Sequence, residues 1–198
     1  MLNILLYIFL FILLWRFLRF ITTPLLKFLG IYEYHSPLFM TVKVGPKLYE
    51  LHLGTSWDFI FRSKFNSITS KLNVLEGLLI LCDKIEKEKF PKNVILRGNP
   101  YFLKSSSLSR FGFKERKLNP LEYVMTLLSF LESTILLSIS RKKLLFANIN
   151  NNRIIYINSS DLLRNKPLIK LLRDRMLHQT ENKVVPFVET NEIKVNAS

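Results

Sequence analysis

An apolar run at the amino terminus constrains the fold of this chain more than any other feature. Leu2–Trp15 read LNILLYIFLFILLW, and Asn3 is the one strongly polar residue among them. A helix that is apolar on all sides needs a protein core or a bilayer around it. At about 1.5 Å per residue this run reaches only ~21 Å, whereas the hydrocarbon core of a bilayer is ~30 Å thick. A single span therefore requires the helix to continue to Ile21, with Arg16 and Arg19 reaching the interface.

Three interpretations of this run remain open. We favour a single span over Leu2–Ile21, with the chain after Pro24 lying along the interface. The second is an in-plane amphipathic anchor, because Arg16, Arg19, Thr23 and Lys27 share one helical stripe. The third is a buried core helix. A cleaved signal peptide is disfavoured, since no Lys or Arg precedes the run and no small-residue cleavage site follows it.

The predicted membrane anchor covers residues 1–31, and its orientation follows from charge. Its marker residues are Leu2, Trp15, Arg16, Arg19 and Lys27. The chain holds 29 Lys and Arg against 15 Asp and Glu, a formal net charge of +14. Residues 1–31 contribute +3 and residues 178–198 contribute −1, so +12 falls on residues 32–177. Basic residues follow the apolar run and none precedes it, which predicts a cytoplasmic body.

The first half of the body combines strand and helix patterns. Two runs around Gly45-Pro46, FMTVKV and KLYELHL, alternate apolar and polar residues and predict a β-hairpin. A short helix is predicted in GTSWDFIFRSKF, and apolar residues at helical spacing predict a longer one over Ser67–Lys89. Cys82 lies on the apolar face of that helix and is predicted to pack in the core. A buried strand at Val94–Gly98 follows.

The second half of the body is dominated by a long helix predicted over Leu121–Ser140, preceded by a short helix and an extended FKERKL segment. We favour a buried core helix over a second span, because Glu122 and Glu132 would each cost about 2.5–3.5 kcal/mol at the bilayer centre. A second hairpin is predicted around Asn150–Asn152. The last predicted helix covers residues 161–177, and Pro167 is expected to kink or split it.

The predicted fold class is therefore α+β. An N-terminal membrane-anchoring helix precedes a small mixed α/β cytoplasmic domain, residues 32–177, with two hairpins and three to four helices. Residues 178–198 lack periodicity and are predicted to be a loose tail. With 48% apolar residues and a single cysteine, the chain is neither a disordered polyelectrolyte nor a disulfide scaffold.

The best candidate for acid–base chemistry is the segment ELHLGTSWD. Glu50 and His52 lie on one face of a strand, and Asp58 follows at once. A histidine oriented by a carboxylate is suited to act as a general base. The alternative, which we favour, is that an exposed strand face carries the first two residues and that Asp58 serves a helix cap. No nucleotide-binding, hydrolase or zinc motif occurs, so we predict no cofactor and no metal.

A basic stretch between residues 97 and 117 is the best candidate for binding anions. Its basic residues are Arg97, Lys104, Arg110, Lys114, Arg116 and Lys117. Its interleaved aromatic residues are Tyr101, Phe102, Phe111 and Phe113. This composition suits anionic lipid headgroups or the backbone and bases of a nucleic acid. A solvated basic face over buried aromatic rings accounts for it equally well.

The run KLNVLEGLLILCDKIEKEKFPKNVILRGNPYFLKSSSLSRFGFKER covers about a quarter of the chain. Its long helix, apolar strand and short helix ending at Gly112-Phe113 resemble part of the acyl-CoA N-acyltransferase (GNAT) superfamily. The resemblance implies an acyl-CoA cofactor and a pair of parallel strands that splay apart beside Val94–Gly98. The family cradles pyrophosphate on a glycine-rich turn before the long helix, where this chain has NSITSK.

These observations predict a membrane-anchored, non-enzymatic binding or adaptor module. Its basic face would lie at the cytoplasmic membrane surface and bind a protein partner or anionic lipid headgroups. A membrane-tethered GNAT-like acyltransferase with a degenerate cofactor site is the first alternative. A membrane-associated nucleic-acid binder is the second.

Overall fold

A computed structural model describes residues 2–61, 67–99, 108–141, 144 and 153–184. Over these residues the chain is mixed α+β, with a six-stranded sheet and several helices. In chain order the elements are α1 (Leu2–Phe28), β1 (Tyr32–Ser36), β2 (Phe39–Gly45), β3 (Leu48–His52), α2 (Ser56–Phe61), α3 (Ser67–Glu86), β4 (Ile95–Gly98), β5 (Lys114–Lys117), α4 (Pro120–Arg141), β6 (Arg153–Asn158), α5 (Ser159–Arg164) and α6 (Lys166–Val184).

The sheet has the strand order β1-β2-β3-β4-β6-β5. Strands β1, β2 and β3 form an antiparallel meander. Strand β4 then pairs with β3 in parallel, and α2 and α3 lie between these two strands in the chain. Strand β6 is inserted between β4 and β5 and is antiparallel to both.

One face of the sheet carries the hydrophobic core. Leu96 on β4 and Ile157 on β6 are fully buried against Leu81 and Cys82 of α3 and Ile169 of α6. The apolar residues that recur at helical spacing in α3 therefore face the sheet, and Cys82 packs in the core, as predicted. Side chains alternate along a strand, so the residues between these core positions point to the opposite face.

Several predicted elements are confirmed. The hairpin around Gly45-Pro46 forms as β2 and β3, and the strand at Val94–Gly98 forms as β4. The Asn119-Pro120 start of α4 is a reciprocal cap: the Glu122 amide donates to Asn119 Oδ1 at 2.7 Å, and the Asn119 amide donates to Glu122 Oε2 at 2.9 Å. Pro167 lies near the start of α6, after the break that separates α5 from α6.

The second arm of the predicted second hairpin forms strand β6, which lies between β4 and β5. Its turn and most of its first arm fall on residues 142, 143 and 145–152, which lie outside the described residues, so the hairpin stays a prediction. The predicted end of the last helix is wrong, because this helix continues beyond residue 177 to Val184, into the segment predicted to be a tail.

The long helix α4 is not the buried core helix that was predicted. Its side chains Leu121, Val124 and Met125 are 72%, 50% and 58% exposed, whereas Thr126 is only 5% exposed. Over the described side chains of α4, the polar stripe thus faces the protein, and Leu121, Val124 and Met125 face outward. The polar stripe faces the protein because it contacts charged residues on the face of the sheet opposite the core.

The N-terminal helix α1 is continuous from Leu2 to Phe28 and includes Pro24. Within the part of the chain that the structure describes, no helix meets the length and apolarity required to cross a membrane. The predicted single span over Leu2–Ile21 is therefore unsupported. Near its carboxyl end α1 is attached to the domain: the Phe20 ring stacks on the Trp57 ring, with centroids 4.8 Å apart, and Trp57 Nε1 donates to the Phe20 carbonyl at 2.6 Å.

Candidate functional site

The face of the sheet opposite the core carries a row of charged and polar side chains. We call it the polar face and define it by Glu50, His52, Arg97, Lys114, Arg116 and Tyr156. Parallel pairing places Glu50 beside Arg97, antiparallel pairing places Arg97 beside Tyr156, and Tyr156 lies beside Lys114. Four strands therefore bring together residues that are far apart in sequence.

Glu50 contacts two other residues of the polar face. Its Oε1 accepts hydrogen bonds from Arg97 Nε at 2.9 Å and Nη2 at 2.6 Å. Its Oε2 lies 3.3 Å from Nε2 of His52. The His52 contact and then the Arg97 guanidinium stabilise the carboxylate against the opposing effect of burial, and the pKa of Glu50 falls from 4.5 to about 2. Glu50 therefore stays ionised down to strongly acidic pH.

Helix α4 extends the row through Glu122. Both oxygens of this carboxylate accept from the Arg116 guanidinium, at 2.7 Å and 2.5 Å. Arg97 Nη1 lies 4.0 Å from Glu122 Oε1, so the two ion pairs adjoin. Arg116 is the largest cause of a lowered pKa for Glu122, which falls to about 2. The series His52, Glu50, Arg97, Glu122 and Arg116 is hereafter called the charge network.

Asp58, the third catalytic candidate, has a separate structural role. Its Oδ2 accepts from the amide of Thr55 at 2.8 Å, from the Thr55 hydroxyl at 2.9 Å and from the Tyr34 hydroxyl at 2.5 Å. The side chain therefore caps the start of α2. Lys27 of α1 lies 4.0 Å from the other oxygen and 4.2 Å from the centre of the Tyr34 ring. Asp58 thus ties α2 to β1 and α1.

The basic stretch divides into paired and exposed residues. Arg97 and Arg116 belong to the charge network, so each already binds a carboxylate. Arg110, Lys114 and Lys117 are exposed, while Lys104 lies outside the described residues. The aromatic residues divide as well. Phe111 and Phe113 are 7% and 4% exposed, which leaves neither ring available for stacking on bases, and Tyr101 and Phe102 lie outside the described residues.

Of the predicted anchor residues, Trp15 is 60% exposed and Lys27 contacts Tyr34 and Asp58. The side chains of Leu2, Arg16 and Arg19 lie outside the described residues. Sequence reasoning missed the role of Glu122 in the charge network. The position of Glu122, three residues after Asn119, could have indicated this role. A carboxylate at that position caps the helix and stays close to the preceding strand.

Among the described residues, no group of three or more His, Cys, Asp or Glu side chains is arranged to hold a metal ion. Comparisons with protein-family models, with curated proteins and with solved structures found no match. The chemistry of the polar face therefore has to be judged from its own geometry. A histidine beside a carboxylate is present, but that carboxylate also binds a guanidinium, which lowers its capacity to accept a proton.

Proposed function

We propose that this protein is a non-enzymatic binding module that α1 holds at a membrane surface, with its body on the cytoplasmic side. One observation carries the proposal. Every side chain that the structure describes between Leu6 and Leu18 is exposed, and all of them are aliphatic or aromatic. Water disfavours such a surface by about 25 cal/mol for each Å² of apolar area, so a helix of this kind requires an apolar environment.

The charge pattern supports an anionic, cytoplasm-facing leaflet. Basic residues follow the apolar run and none precedes it. Arg110, Lys114 and Lys117 are exposed, and a basic side chain near an anionic surface contributes about 1 kcal/mol to binding. The charge network supports a binding role over catalysis, because its carboxylates are already held by arginines.

Vesicle flotation of the full chain tests the role of α1. We expect the wild-type chain to float with phosphatidylcholine vesicles, and more strongly when phosphatidylglycerol is added. Replacing Leu10, Leu14 and Leu18 by aspartate should lower the floated fraction at least about tenfold, since each Asp at depth costs about 2.5–3.5 kcal/mol. The matched control replaces Ile80, Leu171 and Leu177, which are also exposed, and should float like the wild type.

Two results would contradict the proposal. One is a wild-type chain that stays at the bottom of the gradient with both vesicle compositions. The other is an α1 variant that floats as well as the control variant. Added salt should lower the floated fraction with vesicles that contain phosphatidylglycerol, but not with phosphatidylcholine alone. This difference separates the contribution of the basic residues from that of α1.

The acyltransferase alternative has one observation in its favour, the parallel pairing of β3 and β4 on either side of α2 and α3. Two observations disfavour it. The pairing runs without a register shift from Leu48 beside Ile95 to Leu51 beside Gly98, so these strands do not splay over the described residues. The turn before α3, where the resemblance places the pyrophosphate, reads NSITSK and has no glycine to let the backbone approach a phosphate. These residues do not fit the cofactor that the resemblance implies.

Titration calorimetry of the full chain with acetyl-CoA tests this alternative. We expect no binding heat, because the NSITSK turn before α3 lacks the glycines with which the family holds the pyrophosphate. A dissociation constant tighter than ~100 μM for the wild-type chain would place the acyltransferase hypothesis first.

A further inference from the structure

We propose that the outward side of α4 is a second membrane contact, so that α1, α2 and α4 together form one surface that lies on the lipid bilayer. The inference rests on the proposed membrane-surface function and names the surface that performs it. The contact is made by Leu121, Val124, Met125 and Leu127 of α4. The occupant of this surface is lipid.

The first observation is the inverted amphipathic character of α4. A surface helix in water turns its apolar stripe toward the protein and its polar stripe outward. Among the described side chains of α4, Thr126 and Thr134 are buried, at 5% and 8% exposure, and the Glu122 side chain is 19% exposed. The aliphatic side chains of Leu121 and Met125 are more than half exposed. This polarity suits a helix between a polar protein face and an apolar phase.

The second observation is that ion pairs fix the rotation of α4 about its axis. Glu122 is bound by both terminal nitrogens of Arg116 and lies next to Arg97. The reciprocal cap with Asn119 holds the first turn as well. Rotating α4 to bury Leu121 and Met125 would carry Glu122 away from both arginines. Arg97 would keep Glu50, but Arg116 would lose the carboxylate that binds both of its terminal nitrogens. The outward apolar face is therefore built into the fold.

The third observation is continuity with α1. Helix α2 contacts both α1 and α4. The Trp57 ring of α2 stacks between Phe20 of α1 and Phe61 of α2, and Phe61 is itself 66% exposed. On the opposite side of the sheet the helices present charges instead: Lys166 of α6 binds Asp83 and Glu86 of α3. The apolar surface is thus concentrated on one side of the molecule.

Lipid fits this surface better than a second protein. The sequence of α1 from Leu2 to Trp15 is apolar around its whole circumference apart from Asn3. A protein groove covers one stripe of a helix, whereas acyl chains cover all sides. Since α2 contacts both α1 and α4, one apolar phase can cover α1 and the outward side of α4 without a further binding partner.

Quenching by lipids with brominated acyl chains tests the inference. In a chain whose own tryptophans are replaced, Trp15→Phe and Trp57→Phe, we introduce Val124→Trp on α4. The matched control is Leu171→Trp on α6, because Val124 and Leu171 have similar exposures of 50% and 47%. On vesicles of brominated phosphatidylcholine we expect the tryptophan at 124 to lose about half of its fluorescence or more, and the tryptophan at 171 to lose none.

A second labelling route covers the case in which the tryptophan replacements unfold the chain. Val124→Cys and Leu171→Cys are labelled with bimane in the otherwise wild-type protein, where Cys82 is fully buried and inaccessible to the label. We expect bimane at 124 to shift to shorter emission wavelength on adding vesicles and bimane at 171 to stay unchanged. Either route reports the position of α4 directly.

The outcomes separate this inference from the proposed function. If the wild-type chain floats and native tryptophan fluorescence is quenched, while the probe at 124 is not, then α4 is not a membrane contact although α1 is. If the wild-type chain does not bind vesicles, both fail. The lipid assignment would be overturned if bimane at 124 already emits at the shorter wavelength without vesicles and light scattering shows a dimer. That result would show that a second copy of the chain covers α4.

Discussion

Replacing Gly77 by alanine should destabilise the fold by about 2–3 kcal/mol, because it overpacks the contact between α3 and β2. A methyl group at Gly77 would clash with Cδ1 of Phe39 and lie 2.7 Å from its Cβ and Cγ. Phe39 is only 4% exposed, so its ring has no open space into which to move. The intrinsic preference of a helix for Ala over Gly, about 1 kcal/mol, opposes the clash but is smaller. The effect is large against a typical total stability of about 5–15 kcal/mol.

Urea denaturation of the full chain in mild detergent, followed by tryptophan fluorescence, measures this change. Gly45→Ala is the control, since a methyl group there meets only the Cβ of Leu48, at an ordinary 3.5 Å. Phe39→Leu in the Gly77→Ala background should restore part of the loss, because the smaller side chain makes room. An unchanged urea midpoint for Gly77→Ala would show that α3 does not approach β2 as closely as described.

The second large effect is a loss of stability in mild acid that comes from His35. This residue on β1 is 4% exposed, and its Nε2 lies 2.8 Å from the Thr41 hydroxyl. Its pKa falls from 6.5 to about 4, because burial and then the Lys84 charge disfavour the protonated ring more than Glu33 favours it. As the pH falls from 6.5 to 4, the unfolded chain takes up a proton before the folded chain does. Stability is fully present above pH 6.5 and should decrease by about 2 kcal/mol across this window.

Urea titrations at pH 7, 6, 5 and 4 measure this slope. In His35→Gln the titrating group is absent, so the decrease between pH 6.5 and 4 should become markedly smaller. Glu50 cannot mimic the effect. Its pKa is lowered from 4.5 to about 2, so the stability it contributes is present above pH 4.5 and is lost only below that value. Equal slopes for the wild type and His35→Gln would mean that His35 is not buried as a neutral ring.

Local patterns in the sequence predicted individual elements well. Each successful prediction depended on residues close together in the chain. These were the alternation around Gly45-Pro46, the helical spacing in α3 and the Asn119-Pro120 start of α4. The strand β1 was missed, because Tyr32–Ser36 reads YEYHS and contains no aliphatic or β-branched residue. The second hairpin stays a prediction, because its turn lies outside the described residues; its second arm forms β6, and no local pattern showed that β6 pairs with both β4 and β5.

The candidate site was predicted in part. Glu50 and His52 lie on one face of β3 and approach each other, as strand alternation requires. Asp58 was a catalytic candidate beside them, and the alternative that we favoured, a helix cap, is what forms: its carboxylate caps α2 and also binds Tyr34 of β1. Arg97 was assigned to a basic surface, whereas parallel pairing of β3 and β4 makes it the partner of Glu50. Strand order, which no local pattern specifies, decided this last outcome.

The sequence by itself determined that α1 is apolar and that α4 has a polar stripe and an apolar stripe. It also determined the excess of basic residues in the body. Only the tertiary structure decided which stripe of α4 faces the protein, because helical periodicity distinguishes two faces without assigning either to a neighbour. Arg97 and Arg116 come from strands separated in the chain and meet Glu122 only in the assembled sheet. Their charges draw the polar stripe inward and leave the apolar stripe on the surface.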